Sequence, residues 1–296
     1  MRGAGGVMEV DYIVVGAGSA GCILAERLSA GGRHSVLVLE AGGRGRSPWI
    51  AMPLGYRRTF HHPALNWRYE TEAVPGLGGR MGYLPRGRVV GGSCAINAMV
   101  YARGLPEDFD DWAAMGATGW GWETVRSVYA RLERRVSSEG RAHGAGALHV
   151  QDVSDQIHPV TRHFFAAAEE LGHPRCPDCN GDAPEGATAY RITTRFGRRD
   201  SSARAFLAPA LSRDNLRVLT HARVERIGFE GRRAVSVAYR RGGRVHEARA
   251  RGEIVLAAGA VASPQILQLA GVGAAERLSA HGIVPVVDAP DVGGHL

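Results

Sequence analysis

The sequence of 296 residues contains no lysine. All 36 basic residues are arginines, and they are spread along the chain without a block of five or more. A protein that binds nucleic acid through a basic tract concentrates its positive charge. The sequence therefore disfavours a nucleic-acid-binding protein in spite of the net charge of +7. We attribute the one-sided use of arginine to genome composition.

Long apolar runs are absent as well. The longest candidate, residues 254–262, contains a glycine and is far shorter than the roughly 20 residues that cross a bilayer. The N-terminal residues lack the apolar stretch of a secretory signal peptide, since a strand is predicted to begin at about residue 10. We therefore expect a cytoplasmic protein without a transmembrane segment.

Cysteine is scarce, and its pattern predicts no metal site. The four cysteines are Cys22, Cys94, Cys176 and Cys179. The pair Cys176 and Cys179, with His173 nearby, offers three ligands, whereas a structural zinc site normally needs four. A redox pair would stand at a helix start, but this one lies among prolines. We expect a surface loop with two free thiols in a reducing compartment.

The clearest positive signal is the segment 10–40, which predicts a strand, a glycine turn, a helix, a second strand and an acid. Gly16 permits the tight turn, Gly18 lets the backbone approach a pyrophosphate, and Gly21 allows close helix packing. The helix N-terminus then offers N–H groups to phosphates. Glu40 follows the second strand, where a carboxylate accepts hydrogen bonds from a ribose. This pattern predicts a dinucleotide site but leaves NAD and FAD open.

The rest of the chain predicts an α/β protein. Helical spacing favours helices that start at residue 97, over 106–115, 121–135 and 158–171, and over 201–211 with Ser201 or Ser202 as a cap. Strands are predicted over residues 216–220, 222–230, 234–241, 245–251 and 253–258. The last of these is continuously apolar after Glu253, as is typical of a buried parallel strand. Late strands are thus expected to complete the sheet begun at residue 10.

Two longer segments resemble a known family. Residues 84–104, LPRGRVVGGSCAINAMVYARG, resemble the first signature of the glucose–methanol–choline (GMC) oxidoreductases, and residues 259–273, GAVASPQILQLAGVG, are similar to the second. Shorter matches, such as Asn66-Trp67, fall in the family's order. The resemblance extends from residue 10 to the end and points in particular to choline dehydrogenase-like members.

The resemblance implies a Rossmann-like FAD/NAD(P)-binding α/β domain with inserted antiparallel strands and part of a substrate domain. Residues 1–296 would form the N-terminal FAD-binding region of the family. Within it, residues 10–157 and 212–296 are expected to be mainly FAD-binding, and 158–211 to be an insertion that leads toward the substrate domain. The C-terminal substrate and catalytic portion is expected to be absent, or supplied by a partner chain.

The resemblance also implies a reaction. Family members oxidise a CH–OH group by hydride transfer to flavin N5, while a histidine in a C-terminal His-Pro-x-Gly-Thr-like segment takes the proton. None of the dipeptides His62-Pro63, His158-Pro159 and His173-Pro174 continues in that way. We therefore expect the FAD-binding portion of an FAD-dependent alcohol dehydrogenase or oxidase, with a small-molecule alcohol substrate and no catalytic residue of its own. A truncated, non-catalytic flavin- or nucleotide-binding module is the alternative.

The cofactor implied is FAD, held without a covalent bond, because Ile96 stands where some relatives carry a flavin-linked histidine. Cys94 stands where serine is usual. The residues expected to bind FAD are Gly16, Gly18, Ser19, Ala20, Glu40 and Ala41 on the ADP part, Val90, Gly92, Asn97, Ala98, Met99 and Val100 along the flavin and pyrophosphate, Val224 near the adenine, and Ala258 beside the dinucleotide. For Val90 and Val224, a place in the β-strand core is the alternative.

Overall fold

The computed structural model describes residues 7–181 and 184–295, and the chain divides into two compact units. The first unit consists of Met1–Ile50, Leu54–Ile96 and Ser202–Leu296, and the second of Ala51–Pro53 and Asn97–Ser201. This division differs from the predicted insertion at 158–211, because the strands between residues 100 and 151 belong to a sheet within the second unit. The roles predicted for these segments stay predictions.

The helices and strands fall into three consecutive stretches of the chain. The first stretch contains β1 (Met8–Val15), α1 (Ser19–Ser29), β2 (Val36–Leu39), α2 (Pro48–Ala51), α3 (Tyr56–Thr59), β3 (Tyr69–Val74) and β4 (Arg80–Leu84). The middle stretch contains β5 (Val100–Tyr101), α4 (Pro106–Ala114), α5 (Trp122–Leu132), β6 (Glu133–Val136), β7 (Ala142–His143), β8 (Leu148–Gln151), α6 (Thr161–Glu170), β9 (Arg191–Ile192), β10 (Thr194–Arg195) and β11 (Arg198–Arg199). The last stretch contains a π-helical segment (Ala203–Leu207), α7 (Ala208–Ala210), β12 (Leu216–Leu219), β13 (Arg223–Glu230), β14 (Arg233–Arg241), β15 (Arg244–Leu256), α8 (Gly259–Leu269), β16 (Val272–Gly273), α9 (Ala275–Ala280) and β17 (Val287–Asp288).

A six-stranded sheet in the order β12-β2-β1-β15-β14-β13 forms the centre of the first unit. The contacts from β12 through β2 and β1 to β15 are parallel, and β13 and β14 are added in antiparallel pairing. All four side chains of β2 are buried, as expected of an interior parallel strand covered on both faces. The predicted α/β fold with late strands completing the sheet is confirmed.

The two strands predicted over 245–251 and 253–258 are one strand, β15. Val10 is opposite Ala250 and Tyr12 is opposite Glu253, so β15 accommodates one extra residue as a β-bulge. Gly252 lies in that bulge, where a Cβ would stand 2.8 Å from the carbonyl oxygen of Asp11. Gly252, which separates the two strands predicted from the sequence, is therefore required because the backbones of β15 and β1 approach each other closely there.

Helices cover both faces of this sheet. Alternate residues of β1 point to opposite faces, so Ile13 belongs to one apolar cluster and Val14 to the other. Helix α8 contributes Ile266 to the first cluster, while α1 contributes Cys22 and Ala25 to the second. The turns that enter α1 and α8 are thereby fixed at the same edge of the sheet, next to the ends of β1 and β15.

The second unit contains a mixed sheet in the order β5-β9-β8-β6-β7. The helices predicted over 106–115, 121–135 and 158–171 are present as α4, α5 and α6. The helix predicted from residue 97 is wrong, because Met99 has φ of +63° and the chain continues into β5.

The prediction that Ser202 caps the helix at 201–211 is also wrong, while the alternative cap, Ser201, stays a prediction. Ser202 makes no side-chain capping hydrogen bond, since its φ of −55° and ψ of −31° are already helical instead of extended. The segment that follows begins as a π-helix and becomes α-helical only at α7.

No helix among the described residues is long and apolar enough to cross a membrane.

Candidate functional site

The turn between β1 and α1 is shaped by backbone contacts that exclude side chains. Gly16 has φ of +101°, and a Cβ there would lie 2.6 Å from the carbonyl oxygen of Ala257. A Cβ on Gly21 would lie 1.9 Å from the carbonyl oxygen of Gly16. Both glycines are therefore required by the protein's own packing.

Gly18 is different. A Cβ on Gly18 would meet its nearest neighbour, the carbonyl oxygen of Ala257, at 3.7 Å, which is an ordinary contact. The packing of the protein does not require glycine there, and Gly18 lines a cavity. Gly92, by contrast, approaches Gly18 so closely that a Cβ on Gly92 would lie 2.7 Å from the Gly18 Cα. A bare backbone at Gly18 is what a ligand that contacts the turn would need.

Glu40 ties the end of β2 to this turn. Its Oε2 accepts a hydrogen bond from the Ala17 amide at 2.9 Å, and its Oε1 accepts one from the Gly42 amide at 2.7 Å. Burial raises the pKa of the Glu40 carboxyl above its ordinary value, while these two N–H bonds oppose the rise. Each carboxylate oxygen can accept a further hydrogen bond. Glu40 thus has a structural role that the sequence did not reveal, and it still lines the cavity.

The N-terminus of α1 faces the same cavity. Gly18 is its N-cap and offers no capping side chain, and the first turn contains no acidic residue. Ser19 and Ala20 line the cavity at the point where the first amides of the helix lack partners within the helix. The positive end of the helix dipole is therefore directed at the cavity, which favours an anion there.

The cavity in the first unit has a volume of about 960 Å³. It brings together most of the first-unit residues predicted to bind a cofactor, namely Gly16, Gly18, Ser19, Ala20, Glu40, Ala41, Gly92, Val224 and Ala258. Other lining residues were not predicted from the sequence, among them Trp67, Tyr69, Arg86, Ser93 and Gln265. Four of these lie inside the motifs described above, since Trp67 follows Asn66, Arg86 and Ser93 belong to the first signature, and Gln265 belongs to the second.

Val224 borders the cavity at an irregularity of the sheet. Its cross-strand partner is Tyr239, but Arg226 pairs with Ala238, so Glu225 is the extra residue of a bulge. A bulge leaves backbone groups out of the strand ladder. Val224 also packs against the apolar cluster, and both interpretations of this residue therefore have structural support.

Val90 occupies a different environment. It is partly buried and packs against the apolar cluster that contains Val14 and Cys22, and its amide donates to the carbonyl of Gly43 at 3.0 Å. These contacts match the alternative in which Val90 belongs to the core. A role at a cofactor stays a prediction.

Asn97, Ala98, Met99 and Val100 belong to the second unit. The Oδ1 atom of Asn97 accepts hydrogen bonds from the amide of Met99 at 3.0 Å and from Arg199 Nη1 at 2.8 Å. Met99 is buried, and its carbonyl accepts the amide of Thr193 at 2.9 Å. The Asn97 side chain is thus oriented by groups of its own unit.

The two departures from the family motif lie in the first unit. Ile96 is fully buried in a cluster with Leu65, Val89 and Ala95, so a hydrocarbon side chain packs where some relatives carry a flavin-linked histidine. The Sγ atom of Cys94 lies 2.7 Å from Ser19 Oγ, within hydrogen-bonding distance. Cys94 therefore takes the place of a serine as a small polar neighbour of the α1 N-terminus.

Comparison with known proteins shows the family. Residues 10–296 match the family described as GMC oxidoreductase, and the chain belongs to this family. GMC oxidoreductases are FAD-binding flavoproteins. The resemblance predicted from residues 84–104 and 259–273 is confirmed.

Particular relatives include an alcohol dehydrogenase [acceptor] of Pseudomonas putida, 42% identical over 290 residues that cover 97% of this chain and 52% of that protein. An oxygen-dependent choline dehydrogenase of Vibrio vulnificus is 40% identical, with 97% and 51% covered. The crystal structure of pyridoxine 4-oxidase from Mesorbium loti has a TM-score of 0.89 and 36% identity, covering 95% of this chain and 55% of that one. The chain spans about half the length of the curated relatives it matches.

Proposed function

We propose that the cavity of the first unit binds FAD without a covalent bond, and that the chain is the FAD-binding portion of an alcohol oxidoreductase. The observation that carries this proposal is the convergence of Gly18, the open N-terminus of α1 and Glu40 on one cavity. Bound FAD would accept a hydride from an alcohol carbon. The residues of this chain bind and orient it.

The residues present fit the pyrophosphate and ribose of such a cofactor. A pyrophosphate is anionic, and the first amides of α1 supply hydrogen-bond donors and a positive dipole end. Gly18 has space for a Cβ and yet lacks one, which leaves room for phosphate oxygens at the backbone. The Glu40 oxygens, each already holding one amide, keep a lone pair for a ribose hydroxyl.

The adenine is assigned to the bulge at Val224. A purine edge offers donors and acceptors in one plane, and the bulge frees backbone groups beside the cavity. Ile96 supports non-covalent binding, because its side chain has no nucleophilic atom. Asn97, Ala98, Met99, Val100 and Val90 remain predicted contacts of the flavin side.

The substrate class proposed is a small alcohol, as in the relatives named alcohol dehydrogenase and choline dehydrogenase. No proton acceptor is assigned in this chain, since none of its His-Pro dipeptides continues as the family's catalytic segment. We propose that a further portion of the protein, or a partner chain, supplies it and completes the substrate domain to which residues 158–211 lead. The half-length match to the relatives supports this.

The location proposed is the cytoplasm. Cys22, which is buried, and Cys179, which is partly exposed, are free thiols. Free thiols are expected in a reducing compartment.

Reconstitution tests the proposed function. Cofactor-free protein is mixed with FAD, passed through a desalting column and examined for the visible spectrum of bound flavin. We expect retained flavin that acid precipitation releases into the supernatant. Retention of NAD in place of FAD, or flavin that stays with the precipitate, would contradict the proposal.

A non-catalytic flavin-binding module is the second candidate, favoured by the same half-length match. Choline or a simple alcohol is added to the FAD-loaded chain with an artificial electron acceptor. Turnover by the chain alone would exclude the module. Flavin binding without turnover supports the non-catalytic module. Turnover that appears only with the longer protein would instead support the FAD-binding portion of an alcohol oxidoreductase.

A further inference from the structure

The cavity of the first unit has a second acidic lining residue besides Glu40. Among the residues that the structure describes, the acidic side chains of the lining are Glu40 and Glu225. The two oxygens of Glu40 hold the backbone amides of Ala17 and Gly42. Glu225 takes no part in that turn, and no part of the proposed function uses its carboxylate.

Glu225 lies near the position proposed for the ribose. The carbonyl of Glu40 accepts the amide of Ala222 at 2.8 Å, and the chain enters β13 directly after Ala222. The start of β13 is therefore held beside the end of β2. A base attached to a ribose at Glu40 would meet residues 223–225, all of which line the cavity.

Two arginines hold the Glu225 carboxylate in one orientation. Its Oε1 accepts hydrogen bonds from Arg223 Nη2 at 2.9 Å and from Arg240 Nε at 2.8 Å. Its Oε2 accepts one from Arg240 Nη2 at 3.1 Å. These guanidinium groups lower the pKa of Glu225, so its carboxylate is ionised at neutral pH. A bidentate pair with an arginine fixes the geometry of a carboxylate.

One oxygen of this carboxylate retains hydrogen-bonding capacity. Each carboxylate oxygen has two lone pairs, and an ionised carboxylate only accepts hydrogen bonds. Within the described part of the chain, Oε1 already has two donors, whereas Oε2 has one. The Glu225 side chain is 26% exposed. A ligand in the cavity that contacts Oε2 must therefore bring a hydrogen-bond donor.

We infer that Glu225 is a specificity-determining residue that selects an adenine base, because its Oε2 accepts a hydrogen bond from the 6-amino group. This inference rests on the proposed FAD site and adds a side-chain contact to the backbone groups of the bulge. Adenine has an amino donor at C6, whereas the 6-oxopurines guanine and hypoxanthine have a carbonyl acceptor there. A carboxylate binds the amino group and repels the carbonyl oxygen.

A purely structural ion pair is the alternative, since Glu225 also links β13 to β14 through Arg240. Loss of such a link would weaken the binding of every ligand of the cavity by the same factor. The ratio of the affinities for two ligands that differ only at C6 therefore separates the two roles.

FAD and flavin hypoxanthine dinucleotide, which has a carbonyl oxygen in place of the 6-amino group, provide this test. Each is titrated into cofactor-free protein, and binding is followed by flavin fluorescence. We expect the unmodified chain to bind FAD about tenfold or more tightly than the analogue, the worth of one hydrogen bond to a charged group. In Glu225→Gln, the side-chain amide and the released Arg223 guanidinium can both donate to the carbonyl oxygen, so this preference should be lost.

Glu230→Gln is the matched control. Glu230 lies on the same strand and is also paired with an arginine, Arg249, but it lies outside the cavity lining. This variant should keep the preference for FAD. If Glu225→Gln does not fold, Glu225→Asp retracts the carboxylate by one methylene, keeps its charge and should still reduce the preference.

Three results would overturn the inference. They are equal affinity of the unmodified chain for the two dinucleotides, a full preference that survives substitution of Glu225, and an equal loss of preference in Glu230→Gln. The same titrations keep the two proposals apart. Equal binding of both dinucleotides would contradict only the role of Glu225. Binding of neither would contradict the FAD site itself, and the role of Glu225 with it.

Discussion

The carboxylate of Glu40 accepts the amide hydrogen of Ala17 at 2.9 Å, so the end of β2 holds the turn that leads into α1. Its other oxygen holds the amide of Gly42. Glu40 is expected to bind a ribose, and it therefore also stabilises the turn that would bind the pyrophosphate. Loss of Glu40 should affect stability and cofactor binding together.

Replacing Glu40 by glutamine should destabilise the fold. The amide group of glutamine directs N–H donors at the amide of Ala17 or Gly42, which leaves a buried donor unsatisfied. We expect a loss of about 1–3 kcal/mol in the free energy of unfolding, measured by denaturant titration. Glu139→Gln, at an exposed carboxylate, is the control and should change little. Equal effects of the two substitutions would contradict this role of Glu40.

Asp11 should make stability depend on pH. The amide and hydroxyl of Ser35, at 2.7 and 2.8 Å, lower the pKa of Asp11 to about 2, with a further contribution from Arg251. Because this pKa lies below that of the unfolded chain, about 4, the ionised carboxylate stabilises the fold at neutral pH. That stabilisation is lost as the pH falls from about 4 toward 2.

The variant Asp11→Asn measures this contribution. We expect it to be less stable than the unmodified chain at pH 7 by about 1 kcal/mol, since solvent screens a partly exposed pair. The difference should shrink as the pH approaches 2. Asp214→Asn is a surface control. A difference that stays constant across the acid range would show that the charge of Asp11 is not responsible.

Cys22 should be inert toward thiol reagents in the folded protein. It is fully buried on the side of α1 that packs on the sheet, its thiol donates to the carbonyl of Ala17 at 3.2 Å, and burial raises its pKa to about 12. The thiolate is the reactive form, and it is scarce at neutral pH. Maleimide labelling followed by mass spectrometry should modify the partly exposed Cys94 and Cys179 first. Labelling of Cys22 at their rate, without denaturant, would contradict the packing of α1 on the sheet.

Arg213 should stabilise the C-terminal turn of α1. Its guanidinium donates to Ser29 Oγ at 2.9 Å and to Glu26 Oε1 at 3.0 Å, and a cation there also complements the helix dipole. We expect Arg213→Ala to cost about 1–2 kcal/mol in the free energy of unfolding. Arg232→Ala, at an exposed turn, should cost much less. If both variants unfold at the same denaturant concentration, this contact contributes nothing.

Local patterns were sufficient to predict the fold class and much of the candidate site. The glycine turn, β2 and Glu40 are close in sequence, so their geometry follows from residue spacing. The bulge at Gly252 was not predictable in this way, because it depends on the register between β15 and β1, which are far apart in the chain. The left-handed Met99 was missed for a similar reason, as contacts with Thr193 and Arg199 fix that segment.

The aromatic wall of the cavity shows the same limit. Trp67 and Tyr69 stack in parallel at 5.8 Å and line the cavity, with the Arg88 guanidinium over the Trp67 ring. Trp67 belongs to the Asn66-Trp67 match, but that match does not indicate that the two rings line a cavity. The position of the two rings depends on the path of the chain that leads into β3, and only the tertiary structure shows this path.

The central claim is that the first unit binds FAD through the bare backbone at Gly18, and a pair of alanine substitutions tests it most directly. A Cβ on Gly18 and a Cβ on Gly31 would each meet its nearest atom at 3.7 Å, so both variants should fold. FAD titration should show Gly18→Ala weakened by about tenfold or more, a loss of about 1.4 kcal/mol, with Gly31→Ala unchanged. Equal affinity of both variants and the unmodified chain for FAD would contradict the claim.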